Sequence, residues 1–156
     1  MPTVIRNTPS CLIPKELFRE EKMEEYWQTL SSEFDYETIG KDDVNNFFLI
    51  YPKYSKENSI HEISLMYHDF IKKFPSSNNS ICINVYDESF YILALNNQNI
   101  VFSGFFNSAE TEDIIYHIAN ISKKIFEKES IINYYYQQLT SAVLNMLNTY
   151  FEMKPL

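Results

Sequence analysis

The chain has 156 residues, a formal net charge of −8 at pH 7 and an apolar fraction of 45%. This length and composition are typical of one globular domain with a sizeable core, and they exclude a disordered or fibrous protein. The acidic balance argues against binding to a nucleic-acid backbone, because that binding needs a clustered basic face.

The chain start and the cysteines indicate a protein of the cytoplasm. Residues 1–6 lack the basic and apolar regions of a signal peptide, and no window approaches the roughly 18 continuous apolar residues that span a bilayer. Cys11 and Cys82 are far apart in sequence, so they match neither a disulfide framework nor a metal-binding motif. We therefore expect a cytoplasmic protein that contacts no membrane.

Residues 1–75 predict a strand, a helix, two strands joined by a turn, and a second helix. The predicted bounds are 4–6, 15–30, 36–39, 47–51 and 59–74, with the turn at 40–43. Pro14 suits the first turn of the first helix, where a missing N–H costs nothing. Ser59 and Glu62 have the spacing of a capping box, and Pro75 ends the second helix.

Residues 80–156 predict a three-stranded meander followed by helices. The predicted strands are 81–86, 90–95 and 100–106, joined by turns at 87–89 and 96–99. The second strand is apolar on both faces, so it must be covered on both sides. Gly104 predicts a bulge or a close approach in the third strand, and Asn107 or Ser108 predicts the cap of the helix that follows.

The segment 131–136 is ambiguous between a fourth strand and the start of a helix, and its β-branched and aromatic residues favour the strand. Apolar spacing from Leu139 to Tyr150 predicts a final helix. A meander that feeds a helix is how ribonuclease H-like and actin-like units begin. The expected fold is therefore α/β, with a mixed sheet and helices on both faces. We expect a single domain over 1–156, with an N-terminal part at 1–75 and a meander–helix part at 80–156.

Glycine is too scarce for the usual phosphate loops, since Gly40 and Gly104 are the only glycines. Such loops need several backbone N–H groups close together, which glycine permits. Asp87 and Ser89 are weak candidates for cofactor binding, because they lie at the turn where actin-like ATPases carry a phosphate loop. A serine stands at the glycine position there, which favours an acidic turn whose side chains cap the backbone.

The candidate metal ligands have simpler explanations. Asp87, Glu110, Glu112 and Asp113 could serve a two-metal nuclease, but the last three are better explained as charges at a helix start. The pair His61–Glu62 does not continue into a zinc motif, because residue 65 is leucine. All three histidines, at positions 61, 68 and 117, are interpreted as surface residues or left without a role. We expect no metal, no cofactor and no enzymatic activity.

The tyrosines Tyr134, Tyr135 and Tyr136 could form a stacking platform, but core or dimer packing is favoured because no lysine or arginine adjoins them. Together with residues 4–6, they are the aromatic or β-rich segments least explained by the predicted core. An apolar surface of this kind seldom stays exposed on a monomer. We therefore expect a two-fold homodimer with its contact at these two segments.

Several passages carry a family resemblance: 7–9 through 13–18, the segment ending Lys73–Phe74–Pro75, and 99–107 running into 112–116. Through them the chain resembles a family of uncharacterised bacterial proteins, a domain of unknown function with an actin-like ATPase fold. The resemblance implies that fold and no particular chemistry. It also implies longer relatives with an earlier half, of which this chain is the later part or a shortened form.

These observations favour a non-catalytic interaction or scaffold module. The expected partner is another protein or a second copy of the chain, without nucleic acid. Two alternatives stay open, an ATP-binding actin-like enzyme and an acidic mimic of nucleic acid that occupies a basic partner.

Overall fold

The computed structural model describes residues 2–30, 36–54, 57–108, 110–128 and 130–156. In chain order the elements are β1 Thr3–Ile5, β2 Cys11–Pro14, α1 Met23–Leu30, β3 Thr38–Val44, β4 Phe47–Lys53, β5 Ser59–His61, α2 Glu62–Lys73, β6 Ser80–Val85, β7 Phe90–Asn96, β8 Asn99–Phe106, α3 Thr111–Ile125, β9 Asn133–Tyr136, α4 Ser141–Leu147 and β10 Met153–Pro155. They form two compact units, Met1–His68 and Asp69–Leu156. The expectation of a single domain stays a prediction.

The first unit contains two small sheets. Strands β2, β4 and β3 form an antiparallel sheet in that order, and β1 pairs in parallel with β5. The buried core beside the larger sheet consists of Ile13, Trp27, Ile39 and Ile50. Trp27 is completely buried, so the single tryptophan of the chain lies at the centre of this unit.

The predicted turn at 40–43 is wrong. Strand β3 runs through these residues, and the chain reverses instead at Asn45, whose φ of 54° lies in the left-handed region. Asparagine tolerates that conformation because its short side chain can bond to the local backbone. Asp42 stays in the strand because Tyr51 and the backbone of β5 hold its carboxylate.

Both helices predicted within residues 1–75 are too long. The first helix begins at Met23, after a turn and a short 3₁₀ segment at Glu20–Lys22, rather than at residue 15. The second begins at Glu62, because Ser59–His61 forms β5 and pairs with β1. The predicted capping box at Ser59 is therefore wrong. The strand expected at 4–6 is present as β1.

The second unit is built on a five-stranded mixed sheet in the order β10-β9-β6-β7-β8. Strands β6, β7 and β8 form the predicted antiparallel meander, while β9 and β10 run parallel to β6. The strand interpretation of 131–136 is confirmed by β9. Strand β10 was not predicted, because it has only three residues and includes a proline.

Strand β7 is buried on both faces, as predicted. On one face, Phe90, Ile92 and Ala94 lie in a cluster that includes apolar residues of α3 and α4. On the other face, the C-terminal part of α2 packs against the sheet through Phe70, whose ring centroid lies 5.3 Å from that of Tyr135. Helices therefore cover both faces, as the predicted fold class requires.

The ends of the last two helices differ from prediction. Glu110 is the N-cap of α3 and makes no side-chain cap bond, whereas Asn107 or Ser108 was expected in that role. The Ser108 hydroxyl instead donates to the Asp113 carboxylate at 2.6 Å. Helix α4 is shorter than predicted and is capped by Thr140, whose hydroxyl oxygen accepts from a backbone N–H at 3.3 Å.

No helix within the described ranges combines the length and apolar character that crossing a bilayer would require.

Candidate functional site

The turn between β6 and β7 holds the predicted cofactor candidates. Asp87 and Glu88 are exposed, whereas Ser89 is only 2% exposed. The Tyr86 N–H donates to the Ser89 carbonyl at 2.8 Å, which closes the turn. The next residue, Phe90, is buried and stacks on Phe106 with a centroid distance of 4.7 Å. The turn is thus a compact backbone loop with two solvated carboxylates.

The other candidate carboxylates do not join this turn in a metal site. Glu110, Glu112 and Asp113 are exposed at the start of α3. Across the part of the chain that the structure describes, no three His, Cys, Asp or Glu side chains are grouped so that they could hold a metal ion.

His61 is fully buried, so its assignment to the surface is wrong. Its Nδ1 accepts from the Ile63 N–H at 3.1 Å, and its Nε2 lies 3.1 Å from the Thr8 carbonyl. An acceptor at Nδ1 places the proton of the neutral ring on Nε2, which donates to Thr8. Burial lowers the pKa of His61 to about 4, against the opposing effect of the hydrogen bond to Thr8. His61 therefore acts as a neutral cap for the first turn of α2.

A polar network surrounds this histidine within the first unit. The Tyr51 hydroxyl donates to Asp42 Oδ1 at 2.9 Å, and Asp42 Oδ2 accepts from the His61 N–H at 2.7 Å. The pKa of Tyr51 is raised, chiefly by burial. Arg6 Nε donates to the buried carboxylate of Glu62 at 3.2 Å. These bonds involve Arg6, which directly follows β1, and residues of β3, β4, β5 and α2, so the network organises the unit. No sequence motif marks it, because its members come from separate parts of the chain.

The tyrosines of β9 do not occupy the positions expected for a dimer contact. Strand β9 lies between β10 and β6, so both of its edges are paired. Tyr135 is 5% exposed and packs on Phe74 at 4.5 Å between ring centroids, and the Tyr134 hydroxyl lies 3.2 Å from Ser122 Oγ. Tyr135 therefore belongs to the core, one of the two kinds of packing favoured for these tyrosines, and not to the dimer contact that was expected at this segment. Self-association itself stays a prediction.

The two edges of the five-stranded sheet differ in character. Strand β10 has three residues, and two of them are Lys154 and Pro155. Strand β8 has eight residues, Asn99–Phe106, with no charged residue and no proline. Its Val101 is 43% exposed. Sequence analysis predicted this strand but not its position at an edge, because strand order depends on which distant strands pair.

Gly104 and the bulge of β8 shape the middle of this edge. The bulge lies at Val101, because Ala94 pairs with Phe102 whereas Leu95 pairs with Ile100. Gly104 is a point of close approach, where an added Cβ would lie 2.8 Å from Phe102 Cζ and 2.9 Å from Phe106 Cε2. The rings of Phe102 and Phe106 stack with centroids 6.5 Å apart. Residues 102–106 therefore form a regular, uncharged edge with two phenylalanine rings over a glycine.

Comparisons with known proteins agree with this architecture. A family model described as "Protein of unknown function (DUF3822)" matches residues 3–152. A solved structure from Bacteroides thetaiotaomicron, described as a protein with actin-like ATPase fold and unknown function, superposes with a TM-score of 0.79 at 17% identity. The alignment covers 98% of this chain and 66% of that one, so this chain spans just under two thirds of its neighbour. No curated protein matches. The predicted actin-like fold is confirmed.

Proposed function

The chain belongs to the DUF3822 family of proteins of unknown function, and we propose that it is a non-catalytic protein-interaction module. The observation that carries this proposal is the β8 edge. An edge strand presents a row of unpaired backbone N–H and C=O groups that can pair with another chain.

The contrast with β10 supports this use of β8. Natural sheets protect their edges with short strands, lysine, proline and bulges; β10 has the first three, whereas β8 has only a bulge. Strand β8 is long and uncharged, and its bulge lies near one end, so residues 102–106 stay regular. A long edge that lacks charge and proline is a liability unless it has a partner. Pairing with a protein strand is the simplest use of such an edge.

The geometry of the β6–β7 turn supports the non-catalytic part of the proposal. A phosphate loop must direct several free backbone N–H groups at the ligand. Here the Tyr86 N–H is already bonded to the Ser89 carbonyl within the turn. The exposed carboxylates of Asp87 and Glu88 would also repel a triphosphate.

Thermal unfolding with and without ATP and Mg²⁺ tests this proposal. A ligand at 100 times its dissociation constant stabilises a protein by about 2.7 kcal/mol, which moves a melting curve by several degrees. We expect no shift for the wild-type chain or for Asp87→Asn, which removes one charge from the turn. Stabilisation of the wild type by ATP, altered in Asp87→Asn, would show a nucleotide site at the turn and refute the proposal.

A further inference from the structure

We infer that the partner strand at β8 is the β8 strand of a second copy of this chain, paired antiparallel across a two-fold axis at Gly104. This inference rests on the interaction function proposed above and adds the identity of the partner and the register.

The distribution of charged residues favours β8 as the contact between two copies. The chain carries a net charge of −8, so two copies repel each other wherever acidic surfaces face. Strand β8 contains no charged side chain, so pairing it with itself places no like charges opposite each other. The other edge of the sheet would bring Lys154 of both copies into one seam and would lose a backbone donor at Pro155.

The register follows from the regular part of the strand. Directly opposed residues of an antiparallel pair share a face, so a two-fold pairing must be centred on a residue. The bulge at Val101 leaves 102–106 as the regular segment, and its middle residue is Gly104. Centring there places Phe102 of each copy opposite Phe106 of the other. In an isologous dimer both copies use the same surface, so the same edge strand of each copy can pair antiparallel across the two-fold axis.

Side-chain packing is also consistent with a two-fold axis at Gly104. In one chain the rings of Phe102 and Phe106 already lie over Gly104, where a Cβ would be too close to both. Two-fold pairing joins these rings into a group of four phenylalanines above two glycines. Cross-strand aromatic pairs are among the favourable contacts of a sheet, and glycine leaves the rings room to meet.

Charge-swap variants at Ser103 test the pairing by sedimentation velocity at low salt. In the inferred register Ser103 lies diagonal to its own copy, at a separation of about 7–8 Å that long charged side chains can span. We expect the wild type to dimerise with rising concentration, and Ser103→Lys and Ser103→Glu each to associate more weakly. A mixture of the two variants should form a heterodimer at least about fivefold tighter than either homodimer, and high salt should remove this preference.

Met146→Lys is the control, because it introduces the same charge at an exposed residue of α4, outside β8. We expect it to sediment as the wild type does. Hydrogen exchange of the wild type gives a readout without substitution. The amides of 102–106 that point away from β7 should become more protected as concentration rises, while those of Met153 and Lys154 should not.

A wild-type chain that stays monomeric at every concentration would overturn the inference, as would a dimer that Ser103→Lys leaves unchanged. Protection of 102–106 in a monomeric chain by a different added protein would also overturn it and would assign the edge to that protein. These results leave the interaction function intact, whereas stabilisation by ATP would refute that function without bearing on β8.

Discussion

Protonation of His61 should destabilise the first unit as the pH falls. The ring is fully buried and neutral, and its Nδ1 accepts from the Ile63 N–H. A proton on Nδ1 would break that bond and place a charge in the core. In the unfolded chain the imidazole protonates at its usual pKa of 6.5, whereas in the folded chain the pKa is about 4. Stability is therefore full above pH 6.5 and is lost as the pH falls towards 4.

The size of the loss follows from the two pKa values. At pH 5 the unfolded histidine is almost entirely protonated while the folded one is almost entirely neutral. The linkage relation then gives a decrease of about 2 kcal/mol in the free energy of unfolding between pH 8 and pH 5. With an m-value of about 2 kcal/mol/M, the urea midpoint should fall by about 1 M.

Tryptophan fluorescence in urea can follow this unit selectively. Trp27 is the single tryptophan of the chain and is buried in the same unit as His61. Carboxylates also titrate between pH 8 and pH 5, so the informative quantity is the difference between variants. His61→Gln should be less stable than the wild type at pH 8 but should lose about 2 kcal/mol less on acidification. His68→Gln, at an exposed histidine, should behave as the wild type does.

An equal loss of stability in the wild type and His61→Gln would refute the reasoning. It would mean either that the ring is not buried in the native state or that its charge is compensated there. A reduced loss in His68→Gln would also refute it, because the pH dependence would then come from a surface histidine.

The other predictions concern packing. Leu93→Ala should lower the free energy of unfolding by about 2–5 kcal/mol, because the side chain is fully buried on β7. Glu112→Ala, at the exposed start of α3, should lower it by less than about 1 kcal/mol. Equal, small shifts of the urea midpoint in both variants would contradict the burial of β7 on both faces. Gly40→Ala should destabilise the first unit by about 1–3 kcal/mol, because the added Cβ would lie 2.5 Å from Tyr51 Cζ. Trp27 fluorescence measures this effect, and an unchanged midpoint would show that the ring of Tyr51 can move aside.

The meander could be predicted because its signals are local. Alternation and continuous apolar runs identified β6, β7 and β8, and asparagines between β7 and β8 predicted the hairpin. Asn97 and Gln98 have φ values of 46° and 68°, the left-handed conformations that a two-residue hairpin turn requires. Charges at both ends identified α3, although its cap was placed too early.

The first unit was harder to predict because distant partners decide its elements. Serine is a residue type typical of a helix cap, but pairing with Thr3 places Ser59 in β5. Aspartate is a residue type typical of turns, but hydrogen bonds from the Tyr51 hydroxyl and the His61 N–H hold Asp42 in β3. The same reason hides the candidate site. Nothing near Phe102 in the sequence shows that β8 would form an edge.

The order of strands in the larger sheet also bears on how the protein folds while it is being made. The meander uses only neighbouring strands, so it can form soon after Phe106 leaves the ribosome. Strand β9 would then add to the free edge of β6, and β10 would add to β9. Each later strand would thus pair with a strand that is already in place, and after each addition the free edge would lie farther from β8. The short strand with Lys154 and Pro155 ends that growth, which limits mispairing between nascent chains on that side.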